Sequence, residues 1–314
     1  MRLTGNKKNT FFMRLRQDWK KYKIAYILVA PVVLYYLIFC YKPMYGIVIA
    51  FKDFSPIKGI MESEWTTNYG LQHFIDFFSS YYFGRLLRNT LTISLASLIV
   101  GFPAPIIFAL LLNEIKNSKF KRVTQTISYM PHFISAVVIA SLIHIFVSAK
   151  GPIVSFLSLF GMDQVSLLTI PELYVPIHVI SGVWQNLGWS SIIYLSALAG
   201  VNPELYDAAS IDGANRWKQT IHVTLPGISG TIIIMLLLQL GSLMSVGYEK
   251  IILLYNETIY ETADVISSFV YRKGLLEFQW SYSTAVGLFN SIINFAIILT
   301  FNKISRKVTE VSLW

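Results

Sequence analysis

The stretch YDAASIDGANRWKQTIHVTLPG, Tyr206 to Gly227, is the most polar part of the second half of an otherwise apolar chain. It carries two acids, two bases, paired alanines and a glycine, and the apolar sequence restarts at Leu225-Pro226. On both sides lie long uncharged runs. The fold reading turns on whether those runs cross a membrane.

The chain has 314 residues, 54% of them hydrophobic and only 14% charged, against about 25% charged in ordinary soluble domains. The apolar residues come in blocks. Uncharged windows run from Ile24 to Tyr41, Asn89 to Asn113, Val123 to Ala149, Leu173 to Pro203, Gln219 to Tyr248 and Phe278 to Asn302. Each reaches the roughly 18 residues that a bilayer-crossing helix needs. Backbone groups in lipid must bond within their own segment, so the windows predict six transmembrane helices and an all-α polytopic membrane protein. None alternates in the way a barrel strand does. The expected division is a basic segment at 1–23, a six-helix body at 24–302 with a polar loop at 202–226, and a tail at 303–314.

The net charge of +9 does not point to nucleic acid, because of where the charge sits. Seventeen of the 26 basic residues fall in 1–23, 114–122, 216–218 and 303–307. These are alternate connections, and the positive-inside rule puts them, with both termini and the 202–226 loop, in the cytoplasm. The basic amino-terminal segment is also suited to anionic lipid. The single cysteine, Cys40, excludes an intrachain disulfide. His132, His144, His178 and His222 stand in no metal-ligand spacing and read as packing residues. The outer acids Asp53, Glu62, Glu64 and Asp76 read as solvated loop charges. Residues 42–83 are expected to prolong the first helix beyond Pro43 and then to lie at the interface as FIDFFSSYYFG, and GPIVSFLSLFGM (151–162) predicts a short interfacial helix.

Locally, the opening stretch is built to start and stop a helix. Asn202 suits the cap, Pro203 the first helical position, and Glu204 and Asp207 the positive helix end. Ala208 and Ala209 leave a surface that another protein can approach closely, and Gly213 permits a sharp change of direction before Arg216 and Lys218 open the next helix. Such a knob can dock a partner; it can equally be an ordinary polar loop.

The same residues resemble a family hallmark. ABC importer permeases carry Glu-Ala-Ala-x3-Gly-x9-Ile-x-Leu-Pro in a cytoplasmic loop. Here Asp207-Ala208-Ala209 is followed at the family spacing by Gly213 and by Val223-Thr224-Leu225-Pro226, with Asp207 in place of glutamate and Val223 in place of isoleucine. The run Ile211-Asp212-Gly213-Ala214 is similar to the carbohydrate-uptake (MalF/MalG-like) branch, and RNTL (Arg88–Leu91) to the start of its second core helix. KPMYGIVIAFKDF, ADVISSFVYRKGL, YSTAVGLFNSIINF and the terminal SLW resemble the LplB/YteP-type oligosaccharide and polysaccharide permeases. The resemblance covers nearly the whole chain. It implies a type I importer membrane domain in a bacterial cell membrane. Two copies of an ATP-binding subunit would dock on the loop, holding ATP and Mg; a second, non-identical permease and an extracytoplasmic solute-binding protein would complete the assembly, and no cofactor would sit in this chain.

A sugar path needs flat apolar faces and hydrogen-bond partners. The fourth window supplies Trp184, Gln185, Asn186 and Trp189, with Trp184 roughly 16 Å from the start of the window at 1.5 Å per residue. Gln185 and Trp189 are one turn apart and share a face. Gln239, Asn290 and Asn294 are further candidates. Polar residues at that depth either line a cavity or bond a neighbouring helix. A secondary carrier or channel working alone stays open as a second reading, although no charged residue lies in any window to couple protons. A membrane-bound enzyme would need an acid pair or metal site that the sequence does not display. The chain contains no phosphate-binding loop of its own.

Overall fold

The computed structural model describes residues 7–314, with side chains from Asp18 onward except Lys20; residues 1–6 of the basic amino-terminal segment lie outside the described residues. The chain is helical nearly throughout. Helix α1 (Lys7–Tyr35) continues through a π turn and a 3-10 segment to Phe51, so the helix does extend past Pro43. A two-residue antiparallel pairing, β1 (Lys52–Asp53) with β2 (Glu64–Trp65), follows. Then come α2 (Gln72–Ser79), α3 (Tyr82–Gly101), α4 (Pro103–Glu114), α5 (Ser118–Tyr129), α6 (Ala136–Val147) and α7 (Pro152–Ser158). Next are α8 (Pro171–Ala199), α9 (Pro203–Ile211), α10 (Arg216–Gln219) and α11 (Leu225–Leu240). The main helices end with α12 (Tyr248–Leu254), α13 (Ile266–Tyr271) and α14 (Trp280–Thr309).

Among the described residues, five stretches are long and apolar enough to cross a membrane: Lys21–Phe51, Tyr82–Glu114, Ala136–Ser158, Arg216–Leu240 and Trp280–Thr309. The expected count was six. The missing window is α8, whose 29 residues reach roughly 43 Å but whose middle is diluted by histidine, serine, glutamine and asparagine. The third window also differs. Val123 to Ala149 is two helices: Pro131 has no N–H to give to the helical ladder, and the backbone turns extended at Ile134 and Ser135. A 3-10 turn (Met130–Phe133) fills the break, and Ser135 restarts the chain by accepting from the Val138 N–H at 3.4 Å. The fifth window stops at Leu240, and residues 241–247 turn before α12. Helix α7 is the short helix expected at 151–162.

Helix α8 is the axis of the bundle. It contacts α3, α4, α5 and α11 along its length. Tyr174 near one end is buried with Ile139, Ile143, Ile251 and Val265; Tyr194 and Leu198 near the other are buried with Ile106, Ala109 and Ile228. Lipid tails are as apolar as these side chains, so helix association rests on close packing and interhelical bonds. Gly188 shows how close: a Cβ there would lie 2.2 Å from the Ser128 carbonyl oxygen, so only glycine lets α5 press on α8. The apolar window of the first span, by contrast, buries nothing against the rest of the chain.

A second anchor lies around Asp264, which is fully buried. Arg272 donates to both of its carboxylate oxygens, at 3.2 and 2.6 Å, Arg85 stands at 3.7 Å, and Ser268 Oγ donates at 2.8 Å. Burial works against the Arg272 charge, but Asp264 more than offsets it and holds the guanidinium above its ordinary pKa. A carboxylate buried without such partners would cost several kcal/mol.

Candidate functional site

The 202–227 corner is built almost wholly from its own residues. Asn202 caps α9 by accepting from the Glu204 N–H at 3.1 Å, with Pro203 in the first turn. At the far end the Ala214 N–H donates to Ala209 O at 2.8 Å and the Gly213 N–H to Ser210 O at 3.1 Å, while Gly213 has φ +75°. This pair of bonds closing on a left-handed glycine is the Schellman stop. A Cβ at Gly213 would meet nothing within 4 Å, so the requirement is one of backbone angle and not of space. Asn215 then caps α10 by accepting from the Lys218 N–H at 2.9 Å.

Three side-chain bonds that sequence reasoning did not name lock the corner. Gln219, buried, donates to Ser210 Oγ at 2.9 Å and to Ala214 O at 3.1 Å. Tyr206 Oη and Thr224 Oγ1 lie 3.1 Å apart. Gln219 opens an apolar window in the sequence and so reads as the edge of a span; only the fold turns it back. The outer surface of the corner is left bare. Glu204, Asp207, Ala208, Asp212 and Gly213 are exposed, Ala209 and Ala214 half-buried, and the apolar Leu205, Ile211 and Trp217 stand in the open. Leu225, the first residue of α11, joins the cluster around Ile228, and Pro226 stands in the first turn of that helix.

The candidate path residues divide into three groups. Asn186 and Gln239 line one cavity of about 470 Å³, between α3, α8 and α11, together with Ser97, His178, Gly182 and Ser190. A smaller cavity of about 230 Å³ shares Ser97, His178 and Gln239 and adds Ser94, Ser242 and Ser245. Hydroxyl and amide groups with His178 thus run through both cavities, set in the larger one among apolar side chains such as Val183, Leu187 and Met235, and no lining residue is formally charged. Asn186 is partly committed: His132 Nδ1 lies 3.0 Å from its Oδ1, and its Nδ2 donates to Gly182 O. Gln239's amide makes no hydrogen bond to protein among the described residues.

Gln185 and Trp189 do share a face, and it is turned to the Pro131 break. Gln185 Nε2 donates to Ile134 O at 3.4 Å, and the Trp189 ring stacks on His132 at 4.7 Å. Trp184 is elsewhere, in an apolar recess of about 500 Å³ with Leu142, Phe146, Pro176 and Ile180, which offers a sugar almost no hydrogen-bond partner. Asn294 accepts from the Met244 N–H and donates to Ser245 Oγ, both at 2.8 Å, and the buried Asn290 Oδ1 has no partner among the described residues. The RNTL stretch has a structural role: Arg88 and Asn89 donate to Glu261 O, Asn89 also to Asp264 O, and Thr90 accepts from the Ile266 N–H.

The model of the binding-protein-dependent transport system inner membrane components matches residues 101–309. The chain belongs to this family. It is 40% identical over 293 residues to the polygalacturonan/rhamnogalacturonan transport system permease protein YteP of Bacillus subtilis (strain 168), covering 93% of this chain and 90% of that one. It is also 40% identical over 314 residues to the protein LplB of the same organism, covering 99% and 96%. Among solved structures it resembles a chain of a bacterial ABC transporter involved in import of the acidic polysaccharide alginate, with TM-score 0.85 at 43% identity over 94% of this chain and 99% of that one. A second structure of a bacterial alginate ABC transporter, in complex with an alginate pentasaccharide-bound periplasmic protein, gives 0.86 at 42% over 96% and 100%. The fold is therefore that of a type I ABC importer membrane domain, and the chain is a multi-pass transport permease. The family is served by a separate binding protein, which tells against a carrier working alone.

Proposed function

We propose that this permease forms half of the translocation pore of an ATP-driven importer for oligosaccharides of an acidic polysaccharide. The observation that carries it is the uncharged hydroxyl-and-amide track between α3, α8 and α11 in a chain 40% identical to a polygalacturonan/rhamnogalacturonan permease. Sugars are held by many neutral hydrogen bonds, and such a track supplies them. A second permease completes the pore and covers part of the bare first span. An extracytoplasmic binding protein delivers the sugar.

Two copies of an ATP-binding subunit hold ATP and Mg on the cytoplasmic side. The corner at 202–226, with Asp207, Ala208, Ala209 and Gly213 at its surface, seats one of them and carries its closure to α8 and α11 as a rigid body. Its bare apolar side chains and internally closed bonds support that reading. Both termini lie with it in the cytoplasm.

Reconstitution tests the proposal. Vesicles containing this chain, the second permease and the ATPase should take up an oligogalacturonide only with ATP inside and loaded binding protein outside. Uptake by this chain alone, without ATP, would refute it. Topology is checked separately: a single cysteine at position 215, on a Cys40→Ala background, should escape an impermeant thiol reagent in intact cells.

A further inference from the structure

The cavity beside α8 has no charged lining residue, yet a cation stands at its wall. Lys250, on α12, reaches into the bundle and donates its ammonium to His178 O at 2.8 Å. A Cβ at Gly182, one turn further along α8, would lie 3.5 Å from the same nitrogen, so the ammonium rests over a bare glycine. His178 and Gly182 both line the main cavity, and His178 the smaller one as well.

Among the described residues, three other buried or half-buried cations are matched. Arg272 holds Asp264, and Lys273 holds Glu277 at 2.6 Å. Lys52 donates to three backbone carbonyls at 2.8 to 2.9 Å. Among the described residues Lys250 has no carboxylate within 4 Å, and of its three donors one is used. A partly buried ammonium with a single neutral acceptor among the described residues is short of partners. Burial lowers its pKa to about 8, which leaves the charge in place at neutral pH but poorly solvated.

We propose that Lys250 reads the carboxylate of an acidic sugar as it passes along the α8 cavity, and so selects uronate-bearing over neutral glycans. This rests on the importer reading above. The hydroxyl and amide lining satisfies the neutral part of any sugar ring equally. A carboxylate entering the same partly dehydrated space needs a cation, and the charge-assisted bond it gains is stronger than the neutral bond Lys250 already makes to His178 O.

The test uses the full reconstituted importer and two forms of one probe, an oligogalacturonide as the free acid and as its methyl ester, each at concentrations that saturate the binding protein. Uptake is compared for the wild type, K250Q and K250R. The proposal expects K250Q to lose about tenfold in uptake of the acid and to stay within about twofold on the ester, with K250R within about threefold on both. Equal losses on acid and ester would make Lys250 a strut between α12 and α8, and wild-type uptake of the acid by K250Q would make it irrelevant; either result overturns the proposal. If the wild-type importer takes up neither form, the importer reading itself fails and the role of Lys250 with it.

Discussion

The corner at 202–227 and the polar middle of α8 are both hydrophilic stretches set in apolar surroundings, and they are held in opposite ways. The corner closes on itself: its bonds join residues two to eighteen positions apart, from Asn202 with Glu204 to Tyr206 with Thr224. The middle of α8 is held by residues far away in the chain, His132 on Asn186 across 54 positions, Ile134 on Gln185 across 51 and Lys250 on His178 across 72. A self-closed corner keeps its shape when it is pushed and can carry a motion. A cavity wall made from several helices changes shape when they move, as a path that opens and closes must.

The largest effect should come from the place where α8 depends most on a neighbour. Gly188→Ala puts a methyl group 2.2 Å from the Ser128 carbonyl oxygen, and backbone cannot step aside cheaply. Overpacking of this kind costs roughly 3 kcal/mol. Purified protein should melt several degrees lower in detergent, with a raised aggregated fraction. Wild-type melting would mean that α5 does not press on α8 as described.

Gly213 tests the corner by the opposite logic. Its Cβ would meet nothing, so Gly213→Val is opposed by the left-handed backbone alone, about 1–2 kcal/mol. Most of the chain does not depend on that angle. The variant should accumulate in the membrane at near-normal levels and lose transport, with the ATPase co-purifying poorly. Gly213→Asn, which tolerates φ near +75°, should keep most uptake. Equal behaviour of Val and Asn would remove the angle from the explanation.

The same contrast explains what could be read before the fold was known. Caps and stops act within a few residues, so Asn202, Pro203 and Gly213 announced α9 and its end. The span boundaries were harder: composition does not show the Pro131 break, and although the uncharged run from Leu173 to Pro203 marked α8, the polar residues that line its cavity keep it out of the five strongly apolar spans. That residues one turn apart share a face could be judged from sequence, as for Gln185 and Trp189, but not which neighbours each face meets. Trp184 and Asn186 are two residues and so about 200° apart on a 3.6-residue turn; one faces the apolar recess and the other the polar cavity. Gln219 and Lys250 were invisible as site residues because their roles depend on where a turn returns them.

A smaller loss is expected at Gln219. Gln219→Ala removes the bonds to Ser210 Oγ and Ala214 O and loosens the junction of α9 and α10, at about 1 kcal/mol for the corner. The whole protein should melt almost as the wild type does, since nothing outside the corner leans on this amide. Coupling should suffer instead: with loaded binding protein, more ATP should be hydrolysed for each sugar taken up. An unchanged ratio of transport to hydrolysis would show that the corner's rigidity is not what transmits the motion.

The smallest effect on stability, and the sharpest test of the cavity, belongs to Gln239. Its side chain lines both cavities and, among the described residues, spends no hydrogen bond on the protein, unlike those of Asn186 and Asn294. Replacing it by leucine keeps the approximate volume, leaves no buried partner unsatisfied and suits a membrane helix. The melting temperature should therefore move little, within the about 0.5 kcal/mol typical of substitutions that break no specific contact. An amide that contacts a passing sugar is worth roughly one hydrogen bond of about 1 kcal/mol, so uptake should fall several-fold. Trp184→Ala is the matching control, since its ring lies in the apolar recess: it should cost packing and leave uptake per folded complex unchanged. If Gln239→Leu transports as the wild type does while Trp184→Ala does not, the sugar runs along the other face of α8, and the polar track is a packing seam between helices.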